Sequence, residues 1–264
     1  MSSLLRISAI ASNTTREAIR NRAFLGLLLA ALAFIAFSLV LGELAVRGQA
    51  ARVVQDFGPF AIGLFGVVIA ITMGVILLYK EIDKKTIFTI IPKPVHRFEI
   101  VLGKYAGLLA ILLVTVGVLG LAWTGVLAVK GAPVTVEVVK VVALVFFEIM
   151  LVTAVAVLFS AFSSPVLSGL FTFGIFFLGR VAYQVDQLLD ARRGLFVDHP
   201  SLRPLGEAFV AVFPDLQVFD ATQNLLLAMP IPGTFVAAAL TYSLAYVAFF
   251  LALAVLLFQR RDFI

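Results

Sequence analysis

Cysteine is absent from these 264 residues, and histidine occurs only twice, at His96 and His199. The first absence excludes a disulfide framework, a thiolate nucleophile and any cysteine-ligated metal. Neither histidine falls in a long apolar run, so a serine protease working inside a bilayer would lack its base. No His-Glu-x-x-His pair exists to hold a catalytic zinc. A Gly-x-x-x-x-Gly-Lys-Ser/Thr phosphate loop is missing as well: Gly103-Lys104 is followed by Tyr105, and position 98 is Phe98. On this reading the chain hydrolyses no nucleotide and is not itself an enzyme. Charge is scarce too, at 13% of residues against 62% hydrophobic. A soluble domain of this size does not stay dispersed with so little charge, and the composition is that of a membrane protein.

What is present is a set of long apolar runs. About 20 such residues cross a hydrocarbon core, and six segments qualify: Ala23 to Gly42, Gly58 to Leu78, Tyr105 to Val129, Val139 to Phe162, Val166 to Val185 and Phe235 to Phe258. The expected fold is an all-α polytopic membrane protein, one transmembrane domain over residues 1–264. The first run is long enough to be a retained span rather than a cleaved signal. Ser163-Ser164-Pro165 makes a tight hairpin between spans four and five, with Pro165 suited to a helix start.

The net charge of +5 invites a nucleic-acid reading, but the basic residues lie between the apolar runs, where topology and anionic headgroups account for them. With both termini on one side, that face holds twelve Lys and Arg and the other holds seven, while Arg180 stays within a span. The connection 186–234 on the opposite face is rich in Asp and Glu. The positive-inside rule therefore places both termini in the cytoplasm. At 49 residues this connection is too long for a passive turn, and Glu207 to Val212 and Val218 to Met229 are apolar enough to dip back into the membrane or pack against it.

Residues 1–22 form a second non-spanning element. Arg6, Asn13, Arg16 and Arg20 share one helical face, Leu4, Ile7, Ala11 and Ala18 another, and Arg22 closes the basic run. The pattern fits an amphipathic helix lying on anionic lipid, or more simply a positive flank that orients the first span.

Two charges lie at depth. Glu148 is nine residues in from the outer end of the fourth span, or ~14 Å at ~1.5 Å per residue. Arg180 is fifteen residues into the antiparallel fifth span. A lone charge at mid-bilayer costs on the order of 3 kcal/mol, so partners are expected. The two either pair inside the bundle, or Arg180 snorkels outward and Glu148 is protonated or meets a hydroxyl.

The insert 79–104 is the most distinctive stretch. It carries six of the twenty Lys and Arg residues around an apolar patch, Ile87, Phe88, Ile90 and Ile91, bounded by Pro92 and Pro94. Together with the basic first helix and six spans, the residues Glu81, Thr86, Ile90, Ile91, Pro92, Arg97, Gly103 and Lys104 resemble the segment between spans two and three of ABC-2-type transporter permeases. The ending Phe258-Gln259-Arg260-Arg261-Asp262-Phe263 is similar to that family's usual finish. Lys85 departs from it, standing where many relatives have glycine.

The resemblance implies that residues from Glu81 to Ile91 form a coupling helix seated in a groove on a separate ATPase. Ile87, Phe88, Ile90 and Ile91 would anchor it, Glu81, Asp83, Lys84 and Lys85 would set its register, and Arg97 would belong to the same docking surface. It also implies two ATPase subunits, which bind the ATP and Mg²⁺, a second permease copy or a homologue, and re-entrant helices in 186–234. The expected role is the permease of an ATP-driven exporter of an amphipathic substrate in a plasma membrane of bacterial inner-membrane type. Its neighbours would be lipids and protein, with no nucleic acid. Two other readings stay open: a membrane scaffold that recruits a cytosolic protein without transport, and a small proton-coupled carrier using Glu148.

Overall fold

A computed structural model describes residues 3–46, 48–83, 96–191 and 195–260, the side chains of 77–83, 195 and 260 excepted. Among the described residues there is no strand, and 88% of them are helical. The helices run α1 (Ser3–Ile19), α2 (Arg22–Leu44), α3 (Ala50–Asp83), α4 (Arg97–Val129), α5 (Val136–Phe162), α6 (Pro165–Asp190), α7 (Leu195–Asp198), α8 (Arg203–Val212), α9 (Thr222–Leu226) and α10 (Gly233–Arg260). Six of them, α2 to α6 and α10, are long and apolar enough to cross a membrane.

α5 is the hub. It is apolar all the way round, and a helix of that kind belongs inside a bundle rather than on its surface. Of the residues in its most apolar stretch 78% are buried, against 22% for α2 and for α6. α3 and α10 pack along α5, with α4 and α6 beside it. Along α3, Gly66 admits Ile149 and Gly74 admits Ala156, so the α3 and α5 backbones approach closely.

Local chemistry sets the turns. Asn21 Oδ1 accepts a hydrogen bond from Ala23 N at 2.9 Å, capping α2 and breaking it from α1. Between α4 and α5, Gly131 takes a φ of +69°. Its N–H bonds Ala128 O at 3.1 Å, and Ala132 N bonds Leu127 O at 3.0 Å, the paired bonds of a Schellman stop. Pro165 occupies the first turn of α6, where its missing N–H costs nothing.

Two helices start about two turns before the apolar segments that mark them. α3 begins at Ala50 rather than Gly58, and α4 at Arg97 rather than Tyr105. Residues 97–104 are thus the opening turns of a spanning helix, with Glu99 and Lys104 buried, and not a loop. The long connection also folds back. Leu216 N donates to Gly179 O at 3.1 Å, eleven residues before the end of α6 and so ~16 Å along its axis. Leu216, Phe219, Ala221, Leu225 and Ile231 join the apolar core.

Candidate functional site

Glu148 projects from the middle of α5, on the same face as Val141 and Val145, seven and three residues earlier. Only 1% of its side chain is exposed, and Arg180 of α6 supplies its counter-charge: Nη2 donates to Oε2 at 2.8 Å. These are the two charges whose depth stands out in the sequence. The Arg180 guanidinium reaches three further groups. Nη1 lies 3.3 Å from Gln217 Oε1 and 3.9 Å from Asp220 Oδ2, and the guanidinium carbon sits 5.7 Å from the Phe176 ring centre. Neither Gln217 nor Asp220 stands out by spacing. Only the folding-back of the connection brings them here, through the Leu216–Gly179 bond.

The pair lines a cavity of about 480 Å³. One wall is α3, with Asp56, Pro59, Phe60, Gly63 and Leu64. The opposite walls are the Val141–Glu148 face of α5 and the Phe176–Arg180 turn of α6, and Phe219, Asp220, Thr222 and Gln223 close it. Three carboxylates therefore face one guanidinium. While Oε2 of Glu148 takes the arginine, its Oε1 is buried without a hydrogen-bond partner. Among the described residues no group of three His, Asp or Glu is placed to hold a metal ion.

Behind the α3 wall, the indole of Trp123 on α4 donates to Val54 O of α3 at 2.9 Å. Gly58 makes room for it: a Cβ there would sit 2.0 Å from the indole nitrogen. Pro59 follows directly and, lacking an N–H, deprives the Gln55 carbonyl of its helical donor where α3 borders the cavity.

The opposite end of the bundle carries those of the other residues singled out by sequence that are described. Of those assigned to ATPase docking, Lys84, Lys85, Ile87, Phe88, Ile90 and Ile91 lie outside the described residues. Glu81 and Asp83 fall in the last turn of α3, where side chains are not described. Arg97 is described, and its guanidinium donates to Phe258 O at 2.9 Å and Gln259 O at 2.8 Å. It caps the end of α10, satisfying carbonyls left without helical donors and placing a cation at the negative end of the dipole.

The basic N-terminal element divides. Arg6 and Arg16 belong to α1, Arg20 lies in the turn after it, and Arg22 opens α2. The apolar face of α1 meets α4 rather than lipid alone. Ile10 packs on Gly103, and Ala11 and Thr14 on Gly107, while Leu4 stays 78% exposed. Arg6 Nε faces the buried Glu99 Oε1 at 3.5 Å, and Glu99 Oε2 accepts from His96 N at 3.0 Å. A seven-residue spacing puts Arg6 in register with Asn13, but the α4 contact gives Arg6 a partner that spacing does not reveal.

A family model described as ABC-2 family transporter protein matches residues 8–263. The chain belongs to this family. No curated protein matches it. The match takes in the Glu148–Arg180 cavity, the α1–α4 contact beyond residue 8 and the whole basic insert. Membership makes the protein the permease component of an ABC transporter, the part that spans the membrane and not the ATPase. A permease of this kind has no need of the phosphate loop that its sequence lacks.

Proposed function

We propose that this permease serves an exporter, moving an amphipathic substrate outward on energy from ATP hydrolysed by separate subunits. Two ATPase subunits, binding ATP and Mg²⁺, would act on two permeases, the second a copy or a homologue. The observation that carries the reading is the family match over residues 8–263, in a chain that has no nucleotide-binding loop of its own. The basic insert supports it. An apolar patch at Ile87, Phe88, Ile90 and Ile91 inside a ring of charge suits a docking knob, and a purely topological loop needs no such patch.

In this reading the insert and both termini face the cytoplasm of a cell bounded by a plasma membrane of bacterial inner-membrane type. The connection 186–234 caps the exit on the far side. Arg97 ties the start of α4 to the end of α10 at 2.8 and 2.9 Å, so a push on the insert would be felt by both helices. Closure of the ATPase pair would drive the permease halves between inward and outward arrangements.

Co-purification tests it. Tagged permease is expected to bring down an ATPase whose turnover falls at least tenfold with Phe88→Ala and Ile91→Ala together. If no ATPase accompanies the chain, a scaffold role replaces transport. If turnover responds to a proton gradient and not to the double variant, a proton-coupled carrier does.

A further inference from the structure

We infer that the cavity between α3, α5, α6 and the folded-back connection is a binding site for an organic ammonium ion with an apolar or aromatic body. The proposal rests on reading the chain as a permease of amphipathic substrates, and it names their charge.

The argument starts from Glu148. Its carboxylate is 99% buried, inside a helix that crosses the bundle, and Arg180 takes one of its two oxygens. The other, Oε1, has no hydrogen-bond partner although the residue lines open space. An acceptor left bare at such depth is expensive, and a donor arriving from the cavity would remove that cost. Arg180 cannot rotate to supply it without leaving Oε2, Gln217 and the Phe176 face.

The sign of the missing donor follows from what faces the cavity. Asp56, Glu148 and Asp220 stand against Arg180 alone, which leaves two carboxylates in excess. An anion would meet this excess and find the guanidinium already engaged. A bare metal ion would need clustered ligands, and among the described residues there are none. A cation that brings its own N–H donors satisfies both requirements.

The body of the ligand follows from the walls. Phe60, Leu64, Val145 and Phe219 present apolar and aromatic surface, and about 480 Å³ falls within the usual range for one small molecule. Aromatic faces also hold ammonium groups.

The chain supplies its own reporter. Trp123 is the single tryptophan, packed on Gly58, the neighbour of the lining residue Pro59. Dansylcadaverine, an aromatic body bearing a primary ammonium, accepts energy from tryptophan only at close range. The full chain in phosphatidylcholine vesicles would be titrated with this probe and with its N-acetyl derivative, which has the same body and no charge. The expected result is saturable energy transfer from Trp123 to the amine, with the acetylated probe at least tenfold weaker.

Two variants decide it independently. A Cβ at Gly63 meets only Val145 Cγ1, at an ordinary 3.8 Å, so Gly63→Leu fills the cavity without displacing the helix backbones, and Gly63→Ala is the matched control. Gly63→Leu is expected to weaken dansylcadaverine at least tenfold while Gly63→Ala does not. Glu148→Gln is expected to erase the preference for the amine over the acetylated probe. Equal transfer to both probes in the parent protein overturns the proposal, as does parent-like binding in either Gly63→Leu or Glu148→Gln. No ATPase is present in this titration. Its failure leaves ATPase co-purification standing, and failure of co-purification leaves the titration standing.

Discussion

Arg180 reaches Glu148 from a different helix, 32 residues further along the chain, and holds Oε2 at 2.8 Å. The two ends of this pair are unequally placed, since Glu148 is 1% exposed and Arg180 33%. Removing the arginine strands a carboxylate in the bundle. Removing the carboxylate leaves an arginine that still has Gln217 and Asp220 nearby. Arg180→Gln is therefore expected to destabilise more than Glu148→Gln, by about 3 kcal/mol against about 1. Thermal unfolding of purified variants measures the difference. The exchange Glu148→Arg with Arg180→Glu should recover part of what each single reversal loses, and no recovery would mean that the pair is not coupled.

Gly58 and Trp123 give a sharper packing test. A methyl group at Gly58 would overlap the indole, whose own position is fixed by its bond to Val54 O. Gly58→Ala is expected to cost about 1–3 kcal/mol through overpacking, and to shift the emission of the single tryptophan to longer wavelength as the indole leaves its buried seat. Unchanged emission would show that α3 yields instead.

The fold was legible because bilayer thickness is written into composition: an apolar run long enough to cross gives a helix, and all six runs do. Helix ends were less legible. Arg52, Gln55 and Asp56 are polar enough to look like a loop before Gly58, yet polar residues do not stop a helix, so α3 starts at Ala50. Hydropathy marks where lipid begins and capping chemistry marks where helices begin, and the two need not coincide. In the site, Glu148 and Arg180 were conspicuous because charge at depth is costly. Gln217, Asp220 and Asp56 were not, since nothing local distinguishes them from ordinary surface residues. Gln217 and Asp220 are brought in by the folded-back connection, tied by the backbone bond Leu216 N to Gly179 O, and Asp56 by the early start of α3 at Ala50; no spacing encodes either. Arg6 stands out in the sequence as part of the basic first helix, but its partner does not, because Glu99 lies on another helix.

The α1–α4 contact predicts a conditional accessibility. Thr14 is buried against Gly107, where a Cβ would come within 2.6 Å of Ala11 O and 2.7 Å of Thr14 Cβ. The absence of native cysteine makes a single introduced thiol unambiguous. Thr14→Cys is expected to react slowly with a water-soluble maleimide in the parent chain, and at least tenfold faster when combined with Gly107→Leu. Equal rates in both backgrounds would mean that α1 holds to the bundle by other contacts.

The same clean background allows sidedness to be measured, and the mechanism stands or falls with it. An ATPase is a cytosolic protein, so the insert can be its docking point only if residues 79–104 face the cytoplasm. The positive-inside rule sets that expectation: with both termini on the side of the insert, that face holds twelve Lys and Arg and the other seven. Thr89→Cys keeps every charge in the insert, and Asp198→Cys marks the connection on the far face. In sealed vesicles whose cytoplasmic side is outward, an impermeant maleimide should label Thr89→Cys promptly and leave Asp198→Cys untouched until detergent is added. In right-side-out cells the order should invert. If Thr89→Cys were instead labelled from outside the cell, the apolar patch at Phe88 and Ile91 would face a compartment without ATP. Coupling through the insert would then be physically impossible, whatever the family of the chain.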